Sequence, residues 1–339
     1  MSRPRLLITV DTEGDNAWAR PRVATTRNAA YVAPFQELCE RYGFKPTYLV
    51  NYEMAQCRLF QEFGRDVLTR GTGEIGMHLH AWDSPPLVPL TADDPTFQPY
   101  LIEYSEPVMR DKIHVMTGTL EEVFGVTMVS HRAGRWSFDA RYARILLEHG
   151  YRVDCSVTPL ISWQETRGDP LGTGGTDYTA FPHEAYWIDP TDVSRPGHSS
   201  LLEVPVSVIP GPHALVTRVS RRLLHVRPPL AKAARPLRRV LNHVCPAAYW
   251  LYPDGANRAQ LLQILARVLA DSRGHAELTL HSSELMPGGS PTFGTPAQIA
   301  TLYADLEAVL SFARDRFIPS TLAEYRATFD TAVTHAYAR

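Results

Sequence analysis

Cysteine is scarce in this chain. Its 339 residues hold four (Cys39, Cys57, Cys155, Cys245), widely separated and with no Cys-x-x-Cys pair. That argues against a disulfide framework and suits reduced thiols in a cytosolic protein. Excess charge is lacking too. With 34 Lys and Arg against 36 Asp and Glu, the formal net charge of -2 gives no support to nucleic-acid binding. No uninterrupted apolar run is long enough to span a bilayer. No basic-then-apolar leader precedes the first strand, which argues against a cleaved signal peptide, so a cytoplasmic location is expected. There is no internal repeat. What is present is 44% hydrophobic and 21% charged residues, ample for a large core.

Strand-like and helix-like segments alternate almost from the first residue. Strands are expected at Arg5–Val10, Thr47–Val50, Glu74–His80, Val126–His131, Tyr151–Cys155, Leu201–Ile209 and Glu277–His281. Helices are expected at Val32–Tyr42, Glu53–Arg70, Val108–Phe124, Phe138–His149 (capped by Ser137), Asn257–Ala270 (capped by Asn257) and Pro296–Arg314 (capped by Thr295). A Pro-rich excursion covers 83–107, and an insertion covers about 156–250. Within it, Val216–Val244 reads as a basic amphipathic helix broken by prolines. Repeated strand–helix units imply a mostly parallel sheet, and this many imply a barrel. The fold class is therefore α/β, a distorted (β/α) barrel forming one domain over 1–339, with a helical and loop insertion before the last barrel strand.

The polar residues fall in a pattern. Asp11, Glu13 and Asp15 follow the first strand, and His78 and His80 end the third. His131 and Arg132 close the next, Asp154 stands near the end of another, and His281 finishes the last. In an α/β barrel all these ends open onto one face, where active sites are built. Two imidazoles two apart on a strand leave the same face, and with a carboxylate they make a three-donor metal site with an open position. A second carboxylate would serve as general base, an arginine beside it would keep it ionised, and His281 would be a general acid. Taken singly, each has a plainer explanation: Asp11 and Asp15 as loop caps, Arg132 in an ion pair, His281 in the core.

In chain order these segments resemble the motifs of the polysaccharide deacetylase family with the NodB homology domain, and more narrowly its WalW-like branch associated with lipopolysaccharide biosynthesis. Thr9-Val10-Asp11-Thr12-Glu13-Gly14-Asp15 is similar to the first motif, T-F-D-D. Gly76-Met77-His78-Leu79-His80 stands at the second, H-[ST]-x-x-H, and His131-Arg132-Ala133-Gly134-Arg135-Trp136 resembles the third, R-x-P-[YFW]. Val153-Asp154-Cys155-Ser156 occupies the place of the fourth, and Leu278-Thr279-Leu280-His281 matches the fifth, L-x-H. Three departures stand out. The histidines are two apart instead of four, with Trp82 where the second His would be. Thr12 replaces the usual ligand Asp, and Gly134 replaces Pro, with a looser backbone expected there.

The resemblance implies a divalent metal, Zn²⁺ first, held by His78, His80 and Glu13, with Asp15 as the alternative carboxylate. It implies Asp11 as base, Arg132 positioning it, His281 as acid and Asp154 tuning His281. Arg135, Trp136 and Trp82 would meet the substrate, a backbone N–H near Arg135 facing the oxyanion. Trp163 and Trp187 are further candidates for stacking on a sugar. The implied partner is an N-acetylated or O-acetylated saccharide, lipid-linked or nucleotide-linked, with no nucleic acid and no transmembrane segment; the oligomeric state stays open. Two alternatives use the same fold: a non-catalytic glycan-binding pseudoenzyme, and an amidohydrolase of a small non-sugar amide or formamide.

Overall fold

A sheet with helices packed on its outer face positions most of the polar residues named above, on its strands or just past their ends. The computed structural model describes residues 3–211 and 248–337; the Val216–Val244 segment lies outside them. The strands are β1 (Arg5–Thr12), β2 (Thr47–Val50), β3 (Glu74–Leu79), β4 (Ser130–Ala133), β5 (Val153–Asp154), β6 (Tyr186–Asp189), β7 (Asp192–Pro196), β8 (Leu202–Glu203), β9 (Val208–Pro210), β10 (Ala248–Trp250), β11 (His275–His281) and β12 (Ile318–Pro319). The helices are α1 (Val32–Arg41), α2 (Tyr52–Ala55), α3 (Arg58–Arg70), α4 (Asp94–Phe97), α5 (Glu106–Phe124), α6 (Ala140–Glu148), α7 (Arg258–Ala270), α8 (Pro296–Ala313) and α9 (Leu322–Tyr337).

The main sheet runs β11-β1-β2-β3-β4-β5-β8-β6-β7. Pairing is parallel from β11 through β8, and β6 and β7 extend it as an antiparallel hairpin. The ladder stays open between β8 and β11. That seam is bridged instead by the Glu277 N–H donating to Ser207 Oγ (2.9 Å), His275 Nε2 donating to the Pro205 carbonyl (2.9 Å) and the Thr279 N–H donating to the Leu251 carbonyl. The fold is the expected distorted (β/α) barrel, open along one seam.

Alternation along each strand divides the core into two parts. Leu6, Ile8 and Val10 of β1, Met77 and Leu79 of β3, and Leu278 and Leu280 of β11 face outward into the helix layer. Leu7, Leu49, Val153 and Leu202 face inward and, with Leu322 and Tyr325 of α9, form a separate apolar plug. Thr9, Asp11, Glu277, Thr279, His78 and Arg132 continue the inner surface as buried polar residues. Parallel register sets Asp11 beside His281 and His78 beside Arg132.

Several expected boundaries shift for local reasons. The helix expected over Glu53–Arg70 is two, broken at Gln56–Cys57, where α2 ends and Cys57 is extended. Helix α6 is capped by Asp139, whose carboxylate accepts the Tyr142 N–H (2.9 Å), and not by Ser137, whose hydroxyl instead receives the Thr176 N–H. Asn257 makes no side-chain cap; its amide donates to the Tyr252 carbonyl. Thr295 does cap α8, in a reciprocal box with Gln298. The strand expected over Leu201–Ile209 divides into β8 and β9, and the 83–107 excursion contains α4.

Candidate metal centre

His78 and His80 emerge on the inner face at the end of β3, as their spacing requires. Nδ1 of His78 lies 3.1 Å from the Arg132 carbonyl. A carbonyl only accepts, so Nδ1 carries the proton and Nε2 presents a lone pair. That lone pair faces His80 Nε2 at 3.0 Å, and the Glu13 carboxylate lies 3.2 Å from His80 Nε2 and 3.7 Å from His78 Nε2. Electron-pair donors converging in a buried place repel one another unless a proton or a cation sits between them. Ligands of a tetrahedral Zn²⁺ with bonds near 2.0–2.1 Å stand roughly 3.3 Å apart, which this spacing approaches. The buried Glu13, His78 and His80 can hold a divalent metal.

The alternative carboxylate is occupied elsewhere. Asp15 accepts from Thr25, Arg27 and both the backbone and amide of Asn28, fastening the loop after β1. Those bonds hold its carboxyl below the usual range despite partial burial. The other face of His80 meets Asp83 (Nδ1 to Oδ2, 3.7 Å), with Glu53 in the same group. Trp82 stacks on the His80 ring at 4.3 Å and 21°. Burial disfavours a charged His80, but Asp83 and Glu13 outweigh it and raise its pKa well above the ordinary value.

Arg132 is fully buried and branches to both sides of the site. Nη1 donates to Asp11 (2.5 Å), Nη2 to Thr9 (2.8 Å) and Glu277, and Nε to the Cys155 carbonyl. Burial alone would raise the Asp11 pKa, yet the guanidinium, helped by His78 and His281, holds it below the ordinary carboxylate value. Glu277 is the reverse case: burial outweighs Arg132 and pushes it up to about 7. Nε2 of His281 lies 3.7 Å from Asp11. Its Nδ1 meets the Tyr252 hydroxyl (3.2 Å) and Glu284 (3.4 Å).

Glu284, not Asp154, is therefore the acidic partner of His281. Asp154 accepts from His131 Nδ1 (2.6 Å) and from Ser156, and Tyr142 donates to the other ring nitrogen of His131. Burial holds the His131 pKa below its ordinary value. Glu284 sits three residues after His281 and reaches back to its backbone N–H in a local capping box, which the sequence does not announce because His281 is not the usual Ser or Thr. Gly134 also has a physical reason that sequence reasoning missed. A Cβ there would lie 2.3 Å from the Leu79 carbonyl and 2.7 Å from the His80 ring, so it marks a close approach and not a slack backbone.

A cavity of about 300 Å³ opens over these groups. Asp11, Glu13, His78, His80 and His281 form its polar end, and Trp18, Trp82, Trp136, Trp163 and Tyr100 line its walls. Trp18, which lies edge-on to His281 at 4.8 Å, carried no periodic signal. Trp187 is removed from this wall; it packs on Phe329 and Arg326. Arg135 and Trp136 adopt left-handed backbone angles (φ 54° and 64°), with Arg135 stacked over Tyr100.

Burial opposes a charge on His281, but Glu13 and then Glu284 outweigh it and push it up to about 9 from 6.5. The folded metal-free chain thus binds this proton more tightly than the unfolded chain. The resulting stabilisation is complete below about pH 6.5 and lost as pH rises through about 9. Metal-free protein should lose on the order of 1–3 kcal/mol across that window relative to His281→Gln. Chemical unfolding of both proteins at several pH values checks it; parallel curves would contradict it.

No family model matches the chain, and no curated protein matches it. Among solved structures, it is similar to a protein from Mycobacterium smegmatis described as a polysaccharide deacetylase (17% identity, 98% of this chain and 92% of that one, TM-score 0.53). It is also similar to a 4-alpha-glucanotransferase from Thermococcus litoralis (12% identity, 96% of this chain, 40% of that one, TM-score 0.52). At such identities the likeness concerns the fold. Two differently named enzymes share it, so the fold leaves the chemistry to the side chains. The chain has a fold found in polysaccharide deacetylase domains, with a buried His/His/Glu centre able to hold a divalent metal.

Proposed function

We propose that this chain is a metal-dependent deacetylase that removes an acetyl group from an N-acetylated, or alternatively O-acetylated, sugar. The observation that carries the reading is the convergence of Glu13, His78 and His80 beside a second, arginine-held carboxylate, Asp11. A divalent metal in that donor set, Zn²⁺ first, would polarise the acyl carbonyl and make a water acidic near neutral pH.

The remaining work falls to side chains. Asp11, ionised through Arg132, accepts the proton of the attacking water. His281, protonated near neutral pH and backed by Glu284 and Tyr252, gives a proton to the departing amine. A backbone N–H near Arg135 meets the oxyanion, and the left-handed turn at Arg135 and Trp136 supports it as a fixed donor. Trp82, Trp136 and Trp163 offer ring faces to a sugar. Asp154 belongs to the His131 side of the network and supports the β4–β5 scaffold.

The aromatic, partly polar cavity favours a saccharide over a small apolar amide. His80 turned toward Glu13, and not into the core, favours turnover over a pseudoenzyme. Buried free thiols at Cys39 and Cys155 suit a reducing, cytoplasmic setting, and no helix among the described residues is long and apolar enough to cross a membrane. The WalW-like resemblance favours an intermediate of lipopolysaccharide or surface-polysaccharide synthesis, and the reading keeps the chain as one domain. The test is acetate release from acetylated saccharides by metal-stripped protein before and after Zn²⁺ is restored. Zn²⁺-dependent release is expected; silence across mono- and oligosaccharides would overturn the reading.

A further inference from the structure

The cavity has a second polar feature, a pair of guanidinium groups whose side chains the reaction does not use. Arg20 and Arg135 both line it. They are tethered to three consecutive carbonyls at the end of α4: Arg20 Nη1 donates to Thr96 O (2.5 Å), and Arg135 Nη1 to Phe97 O (3.4 Å) and Gln98 O. Carbonyls orient a guanidinium but do not neutralise it. Among the described residues neither arginine forms an ion pair, although Arg22, two residues on, pairs with Asp93. Glu103 acts on Arg135, but its carboxylate is engaged by the N–H groups of Tyr100 and Asp169. Burial lowers the Arg135 pKa, and the charge of Arg20 adds to that effect.

The backbone supports this arrangement. Arg20, Gln98 and Arg135 all have left-handed φ values (52°, 52° and 54°), which non-glycine residues avoid unless surrounding structure enforces them. Arg20 is exposed and Arg135 partly buried, so two guanidinium groups without an ion pair stand open at one cavity wall, where an anion can lie against both. Guanidinium pairs recognise oxyanions through forked, charge-assisted hydrogen bonds.

We infer that Arg20 and Arg135 form an anion subsite, so that the sugar entering this cavity carries an oxyacid group, a phosphate or a carboxylate, besides its acetyl group. The sugar part rests on the proposed deacetylase reading; the anion part rests on the cavity itself. The group would lie over the arginine wall while the acetyl faces Glu13, His78 and His80. Neutral acetylated sugars would then be poorer ligands.

The test compares N-acetylglucosamine, N-acetylglucosamine 1-phosphate and N-acetylglucosaminuronic acid, titrated calorimetrically into the Zn²⁺-loaded full chain. At least one anionic sugar should bind about tenfold or more tighter than the neutral one. Arg20→Gln and Arg135→Gln should each bring that ratio toward one, whereas Arg58→Gln, an exposed arginine of α3, should preserve it. Preference for the phosphate alone or the uronate alone identifies the group. Equal affinities in the parent, or a preference that survives both substitutions and so belongs to the metal, would overturn the inference. Acetate release in the same samples separates the two ideas. Release without anion preference removes the subsite only, and an Arg20-dependent preference without release removes the deacetylase reading only.

Discussion

Arg132→Met is expected to lower the free energy of unfolding by about 3–5 kcal/mol, the cost of leaving buried carboxylates without their cation. The side chain is wholly buried and bonds Asp11, Glu277, Thr9 and the Cys155 carbonyl at once, so solvent cannot replace it. Glu277, already pushed up to about 7, would take up a proton, and most of the uncompensated charge would fall on Asp11. The deficit should therefore shrink as pH falls and these carboxyls protonate. Arg132→Met/Glu277→Gln should regain part of the stability and none of the activity, because Asp11 still lacks its partner. Denaturant unfolding of both variants at pH 5 and pH 8 checks this. An Arg132→Met protein as stable as the parent at pH 8 would show that the guanidinium does not hold the inner network together.

Asp11→Asn is expected to reduce acetate release roughly 10²–10⁴-fold, the usual worth of a positioned general base. The substitution keeps the shape and an oxygen for Arg132, so the fold should survive. Metal affinity should hardly change, because Asp11 stands outside the Glu13, His78 and His80 group. The informative pattern is a fall in kcat at nearly constant Zn²⁺ affinity. Equal loss of metal and of rate would make Asp11 a ligand instead.

The parts of this site legible in the sequence are those governed by strand alternation. In β3, Met77 and Leu79 face the helices while His78 and His80 face the centre. In β11, Leu278 and Leu280 do the same for Thr279 and His281. A two-residue period and parallel register bring the ends of β1, β3, β4 and β11 together without further information. Glu277 was equally readable, since it shares the face of His281, but it sits deeper and carries no motif.

What was hidden lies in loops or depends on one close approach. Trp18 and Arg20 reach the cavity because Asp15 ties down the loop around Thr25–Asn28, a path with no period to read. Asp154 stands at a strand end like the others, yet neighbouring strands pair it with His131, and a local capping box gives His281 its carboxylate. Ser137 reads as a helix cap but is drawn away by Thr176, thirty-nine residues on in a segment of irregular structure.

The central claim is that Glu13, His78 and His80 form the metal centre, and calorimetric titration of metal-stripped protein with Zn²⁺ tests it most directly. The geometry predicts that Zn²⁺ binds at the Glu13, His78 and His80 group. It further predicts binding weakened at least about 100-fold in Glu13→Gln and little changed in Asp15→Asn, whose carboxylate fastens a loop. Absence of Zn²⁺ binding in the parent, or a loss in Asp15→Asn that matches or exceeds the loss in Glu13→Gln, would contradict it.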